Sequence, residues 1–221
     1  DLPDVIAVDS QGNIYVGGLN TYVRKLAYDD VSDLMVRKFW AKYTSDGNLV
    51  WRQEIPPLYK EEESFESLSV DANGDVYVVG RVNVYVDENL LVSIPDAFIA
   101  KHNGVNGQRL WSKCFKSQEQ GEIAEEFIDV TVDRQGNVYV VGIAEGSLFG
   151  NLLGVRDVVI AKFDANGNMI WSKQWGGEKG ESGVAIAMDR VGGIYVAGGT
   201  DSNLFSTNAG EADVFIVKFR Q

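Results

Sequence analysis

The sequence predicts an all-β fold, a β-propeller of four blades, each a four-stranded antiparallel sheet. Three observations carry this reading: one phrase that returns four times, two further phrases that keep its beat, and strand-and-turn chemistry in every segment between them. The first phrase occupies residues 8–18, 70–80, 132–142 and 188–198, and its aspartates Asp9, Asp71, Asp133 and Asp189 stand 62, 62 and 56 residues apart. The second ends on Lys42, Lys101, Lys162 and Lys218, each followed by Tyr, His or Phe. The third ends on Trp51, Trp111 and Trp171, and its fourth copy is missing because the chain stops at Gln221.

Within a unit the elements follow from residue type. Strand a and strand b are β-branched and aromatic runs, joined by Asp, Asn and Gly residues that supply the positive φ a tight turn needs. Strand c is the apolar run before each Lys, and strand d the run containing each Trp. In the third unit these fall at 128–132, 138–143, 158–163 and 169–174. No stretch combines a 3.6-residue apolar period with caps, so helix content is expected to be low. One domain, 1–221, is expected, with repeats at about 1–62, 63–124, 125–180 and 181–221 and fifteen strands, the last blade lacking its outer strand. With so little sequence before the first inner strand, closing the ring with a blade built from both ends is not expected.

Composition narrows the function. Twenty Lys and Arg stand against 32 Asp and Glu, a formal charge of −12. Nucleic acid is thereby disfavoured as a partner, since nothing supplies the phosphate-neutralising charge, and anionic membrane surfaces repel the chain. No apolar run approaches the roughly 18 residues of a membrane-spanning helix, so no membrane insertion is expected. Cys114 is the single cysteine. It cannot form an internal disulfide, and it reads as a buried or half-buried small hydrophobe.

Each repeated polar residue has a structural reading. A turn Asp can accept hydrogen bonds from turn amides. The antiparallel layout brings the Lys of strand c close to it, which predicts blade-internal pairs Asp9–Lys42, Asp71–Lys101, Asp133–Lys162 and Asp189–Lys218. Trp51, Trp111 and Trp171 are expected as wedges between blades rather than as sugar-stacking platforms. Residues 71–75 and 164–168 look like calcium loops but lack the glycine and glutamate spacing of an EF-hand, and read as plain hairpins. His102, the sole histidine, stands where the other repeats carry Tyr43, Phe163 and Phe219, and reads as an aromatic substitute. No nucleophile elbow, phosphate loop or histidine cluster is present.

One pattern points beyond scaffold. Eight residues before each turn Asp lies an acid: Asp1, Glu63, Glu125 and Glu181. That offset falls just ahead of the innermost strand, so the four carboxylates are expected to ring one mouth of the central channel. There they would bind calcium, another cation or a small polar ligand, or else cap loops and pair with adjacent blades. No other cofactor is expected.

Taken together the units resemble the SBBP family of bacterial β-propeller repeats. The resemblance rests on the Asp-x-x-Gly-Asn-x-Tyr-Val-x-Gly phrase, on Asp213-Val214-Phe215-Ile216-Val217-Lys218 and on Trp175-Gly176-Gly177. The first repeat departs most, with Arg37 in place of the family's Asp and an insertion at 20–36. The resemblance implies a secreted or cell-surface protein without an assigned enzymatic role, and the reading this supports is a non-enzymatic binding or structural scaffold whose loops or acidic channel mouth contact a glycan, a cation or another protein. An assembling or filament-forming module, self-associating through the open edge of the fourth blade, is the alternative, as is a fragment of a larger propeller. A quinoprotein-like enzyme is a third reading, on the Gly-x-x-x-Trp ending alone; no residues for its cofactor cradle are visible.

Overall fold

The structure is a computed structural model that describes residues 2–25, 32–55, 61–87, 92–117 and 123–219. These residues form fifteen strands in four sheets, and no helix is found among them. The first sheet holds β1 (Leu2–Val8), β2 (Ile14–Lys25), β3 (Ser32–Tyr43) and β4 (Leu49–Ile55). The second holds β5 (Glu61–Val70), β6 (Val76–Asp87), β7 (Val92–His102) and β8 (Arg109–Phe115). The third holds β9 (Glu125–Val132), β10 (Val138–Ala144), β11 (Asp157–Phe163) and β12 (Met169–Trp175). The fourth has three strands, β13 (Glu181–Met188), β14 (Ile194–Thr200) and β15 (Asp213–Phe219). Every neighbouring pair is antiparallel and consecutive in sequence. The architecture is therefore that of four propeller blades, with an outer strand missing from the last.

The blades stack through alternating faces. Tyr139, Val141, Val158 and Ile160 face the fourth blade, where they meet Ile186, Ile194, Val196 and Phe215. Val138, Val140, Ala161 and Phe163 face the other way, toward Tyr77, Val79, Ala97 and Ile99 of the second blade. A third cluster joins Tyr15 and Trp40 of the first blade to Phe65, Leu68, Val78 and Phe98 of the second. Middle strands buried on both faces therefore read as continuous apolar runs, as Val-Tyr-Val-Val does in β6 and β10. The inner strands β1, β5, β9 and β13 pack one on the next, but no comparable contact joins β13 to β1 among the described residues. The four blades thus form an open arc.

Each inner strand carries a β-bulge at the same place, for instance where Val141 and Gly142 of β10 face Asp129 and Phe127. The bulge pushes a backbone carbonyl against the second strand, and a β-carbon on Gly142 would overlap the Glu126 oxygen. This close approach explains the glycine that ends the first phrase in every repeat.

Candidate functional site

The repeated Asp of the first phrase organises its turn in all four blades. In the third, Asp133 Oδ1 accepts from the amides of Gln135 (2.9 Å) and Asn137 (2.8 Å), and Gly136 takes a φ of 82°. Asp9, Asp71 and Asp189 hold the equivalent amides. The other carboxylate oxygen receives a hydroxyl that the sequence reading left unassigned. Tyr15, Tyr77, Tyr139 and Tyr195 donate to Oδ2 of Asp9, Asp71, Asp133 and Asp189 at 3.1, 3.4, 3.1 and 3.2 Å. Burial raises the Tyr15 and Tyr139 hydroxyls well above the ordinary tyrosine value, and the adjoining Asp9 and Asp133 charges add to it. At Asp9 burial acts upward, but hydrogen bonds from Asn13, Gln11 and Tyr15 outweigh it and hold the carboxyl below its ordinary value.

The lysines lie over the tyrosine rings, with Nζ 4.9 Å from the Tyr15, Tyr77 and Tyr139 centroids and 4.6 Å from that of Tyr195. Only two of the four expected ion pairs form: Lys101–Asp71 at 3.5 Å and Lys218–Asp189 at 3.3 Å. Lys42 does not pair with Asp9; it donates to the Gly104 carbonyl of the next blade at 3.1 Å. Lys162 stays over Tyr139 and does not pair with Asp133. The residue four places after the Asp accounts for the difference. Asn13 and Asn137 donate their side-chain amides to Oδ2 of Asp9 and Asp133, at 2.8 and 2.7 Å, and satisfy the oxygen the lysine would take. Asp75 instead adds a second carboxylate for Lys101, at 3.0 Å, and Gly193 offers no side chain at all.

The outer-strand tryptophans bridge blades. Trp51 Nε1 donates to Gly104 O at 3.1 Å and Trp111 Nε1 to Ala165 O at 3.2 Å, each reaching the c–d turn of the following blade. Trp171 stacks on Phe219 with ring centroids 6.5 Å apart. The two calcium-like stretches are tight hairpins, with Asp71 and Asp164 occupied by turn amides. His102 is buried against Trp40, and its Nδ1 lies 3.1 Å from the Gly107 carbonyl. Cys114 is exposed, contrary to the sequence expectation, because it lies on the outermost strand β8 of its sheet.

The expected ring of carboxylates is not assembled. Asp1 lies outside the described residues, while Glu63, Glu125 and Glu181 are buried, the last two almost completely. Glu181 accepts from the Gly177 amide at 2.7 Å and the Thr200 hydroxyl at 2.9 Å, and Glu125 accepts from the Ser117 amide at 3.3 Å. Glu63 is paired with Arg109 at 2.6 Å. Glu125 and Glu181, which open β9 and β13, point back under the crossover from the preceding blade, whose amides need acceptors, rather than toward a channel. No three His, Cys, Asp or Glu side chains converge on a metal position among the described residues. The residue that links inner strands is Asp129, which accepts from the Ser67 hydroxyl (2.7 Å) and the Ile186 amide (2.8 Å). It stands in only one repeat, so no periodic signal marks it.

Among solved structures, the quinohemoprotein alcohol dehydrogenase of Comamonas testosteroni superposes with a TM-score of 0.49 at 13% identity. The likeness covers 85% of this chain, which spans 31% of that protein's length. A luciferin-regenerating enzyme gives a TM-score of 0.29 at 9% identity, covering 89% of this chain and 83% of the other. No curated protein sequence matches the chain. Residues 170–206, which run from the outer strand of the third blade into the fourth, match the SBBP beta-propeller repeat family.

Proposed function

We propose that the chain is a non-enzymatic scaffold of the cell surface or the extracellular space, and that its two end faces join copies of it head to tail. Protein or glycan ligands would fall to the loop faces that such a rigid scaffold presents. One observation carries the assembly: residues covered at every internal junction are bare at the ends. Val158 and Ile160 are fully buried against the next blade, whereas Val214 and Ile216 at the same repeat positions are 82% and 72% exposed. On the opposite face Ile186 is 6% exposed, while its counterpart Ile6 is 70% exposed and Val8 beside it 61%. The forward face of the fourth blade and the rear face of the first are thus two halves of a junction the chain already makes three times. Such a contact is heterologous, so copies either close into a ring or extend as a filament.

Light scattering with rising protein concentration tests this. The expected result is a multiple of the 24.3 kDa protomer. Ile6→Asp and Ile216→Asp should each abolish association alone, yet an equimolar mixture should give a dimer, because each variant keeps one intact end. A monomer at every concentration would overturn self-association and leave flanking repeats of the same kind as the occupants of both faces.

A further inference from the structure

We propose that the junction between the third and fourth blades binds a hard divalent cation of the calcium class between Asp157 and Glu181. Asp157 opens β11 and Glu181 opens β13, and both are 0% exposed. Asp157 Oδ2 accepts from the Leu153 amide and from Gln174 Nε2, each at 3.1 Å. Its Oδ1 is buried without a hydrogen-bond partner. That oxygen and Glu181 Oε2 face one another across Gly176: a β-carbon there would overlap Asp157 Oδ1 and lie 2.7 Å from Glu181 Oε2. Two buried carboxylates therefore converge, and neither makes an ion pair among the described residues; the nearby Arg156 Nε donates instead to the Glu181 carbonyl, at 3.2 Å. A buried carboxylate oxygen left without a donor is a place for a positively charged partner.

The chain's other junctions carry basic residues in their sequence. Between the second and third blades the equivalent acids are Asp96 and Glu125, and the position of Gly176 is taken by Lys116. Burial raises the Asp96 carboxyl, and the Lys116 charge acts against it. Between the first and second blades Arg37 replaces the Asp, and Glu63 is paired with Arg109. Only the third junction keeps both acids and substitutes glycine for the cation. An all-oxygen donor set selects a hard ion, and two carboxylates completed by water correspond to a dissociation constant of roughly 10⁻⁴–10⁻³ M.

The experiment compares chelator-treated protein with and without 10 mM calcium chloride, at ionic strength matched with sodium chloride, by thermal unfolding and equilibrium dialysis. One calcium per chain and a rise in Tm of about 5 °C are expected. Gly176→Ala, whose β-carbon would overlap Asp157 Oδ1, should lose the response to calcium. Asp157→Asn should lose the response as well. No calcium bound, a rise matched by sodium chloride, or a calcium response retained in either variant would overturn the site. Should one variant fail to fold, the other and the wild-type stoichiometry decide.

Discussion

Replacing His102, the sole histidine, by Phe should remove the acid sensitivity that its imidazole confers. Burial of the ring pushes the His102 imidazole down to about 3, against the hydrogen bond to Gly107, and the Arg109 charge acts in the same direction as burial. The folded protein therefore keeps this side chain neutral, while the unfolded chain takes up a proton near the ordinary value of 6.5. With the folded value depressed, the stabilisation is complete above pH 6.5 and is lost progressively as the pH falls from there toward 3. At pH 5 the unfolded imidazole is almost fully protonated, and the linkage amounts to about 2 kcal/mol relative to pH 7.5. For a chain of this length that corresponds to roughly 4–8 °C in Tm. Phe fits the position, since Phe163 is fully buried at the same place in the third blade. Urea unfolding of both proteins at pH 7.5 and pH 5.0 isolates the term, because Glu126 and Asp96, raised by burial, titrate alike in both. The wild type should lose about 2 kcal/mol more than His102→Phe over that interval. Equal losses would refute the neutral buried imidazole.

Two further substitutions probe the repeated turn and the bulge. Tyr139→Phe deletes the hydroxyl donated to Asp133 at 3.1 Å while leaving the ring under Lys162, and should destabilise by about 1 kcal/mol in urea, since Asn137 still serves the same carboxylate. Gly136→Ala should cost about 1–2 kcal/mol through its φ of 82° alone, because the nearest atom to the new β-carbon is Ala165 Cβ at 3.6 Å. Gly142→Ala should be more damaging than either, as its β-carbon meets backbone rather than a side chain; comparable urea midpoints for the two glycine variants would contradict the bulge argument.

The fold was legible because each blade spells the same strands with the same turn signals, and the expected spans of the third unit fall within β9 to β12. The site was legible only in part, and the misses share a cause. The Asp–Lys rule assumed that repeat position fixes partnership, yet Asn13, Asp75, Asn137 and Gly193 at one variable position decide which oxygen is left for the lysine. The tyrosine was visible in every copy but looked like an ordinary strand residue, since nothing in a strand pattern says that its hydroxyl reaches back to the turn. The acid ring failed on direction: an offset of eight residues gives a position along the strand, whereas the side chain follows the unsatisfied amides of the crossover.

The end faces expose a different limit. Val214 and Ile216 differ from Val158 and Ile160 in nothing that composition or periodicity can register, and yet one pair lies open and the other is sealed. Burial at these positions is a relation between successive blades, so a repeat carries both halves of the junction in its own sequence whether or not a neighbour is there to fill it. The same logic applies to charge at the junctions. Lys116 and Gly176 occupy one repeat position beside equivalent acids, so one variable residue sets the charge near each pair. A Lys116→Gly variant should therefore raise the Asp96 carboxyl further, which a titration of that side chain would read, and an unchanged titration would refute the role of the Lys116 charge.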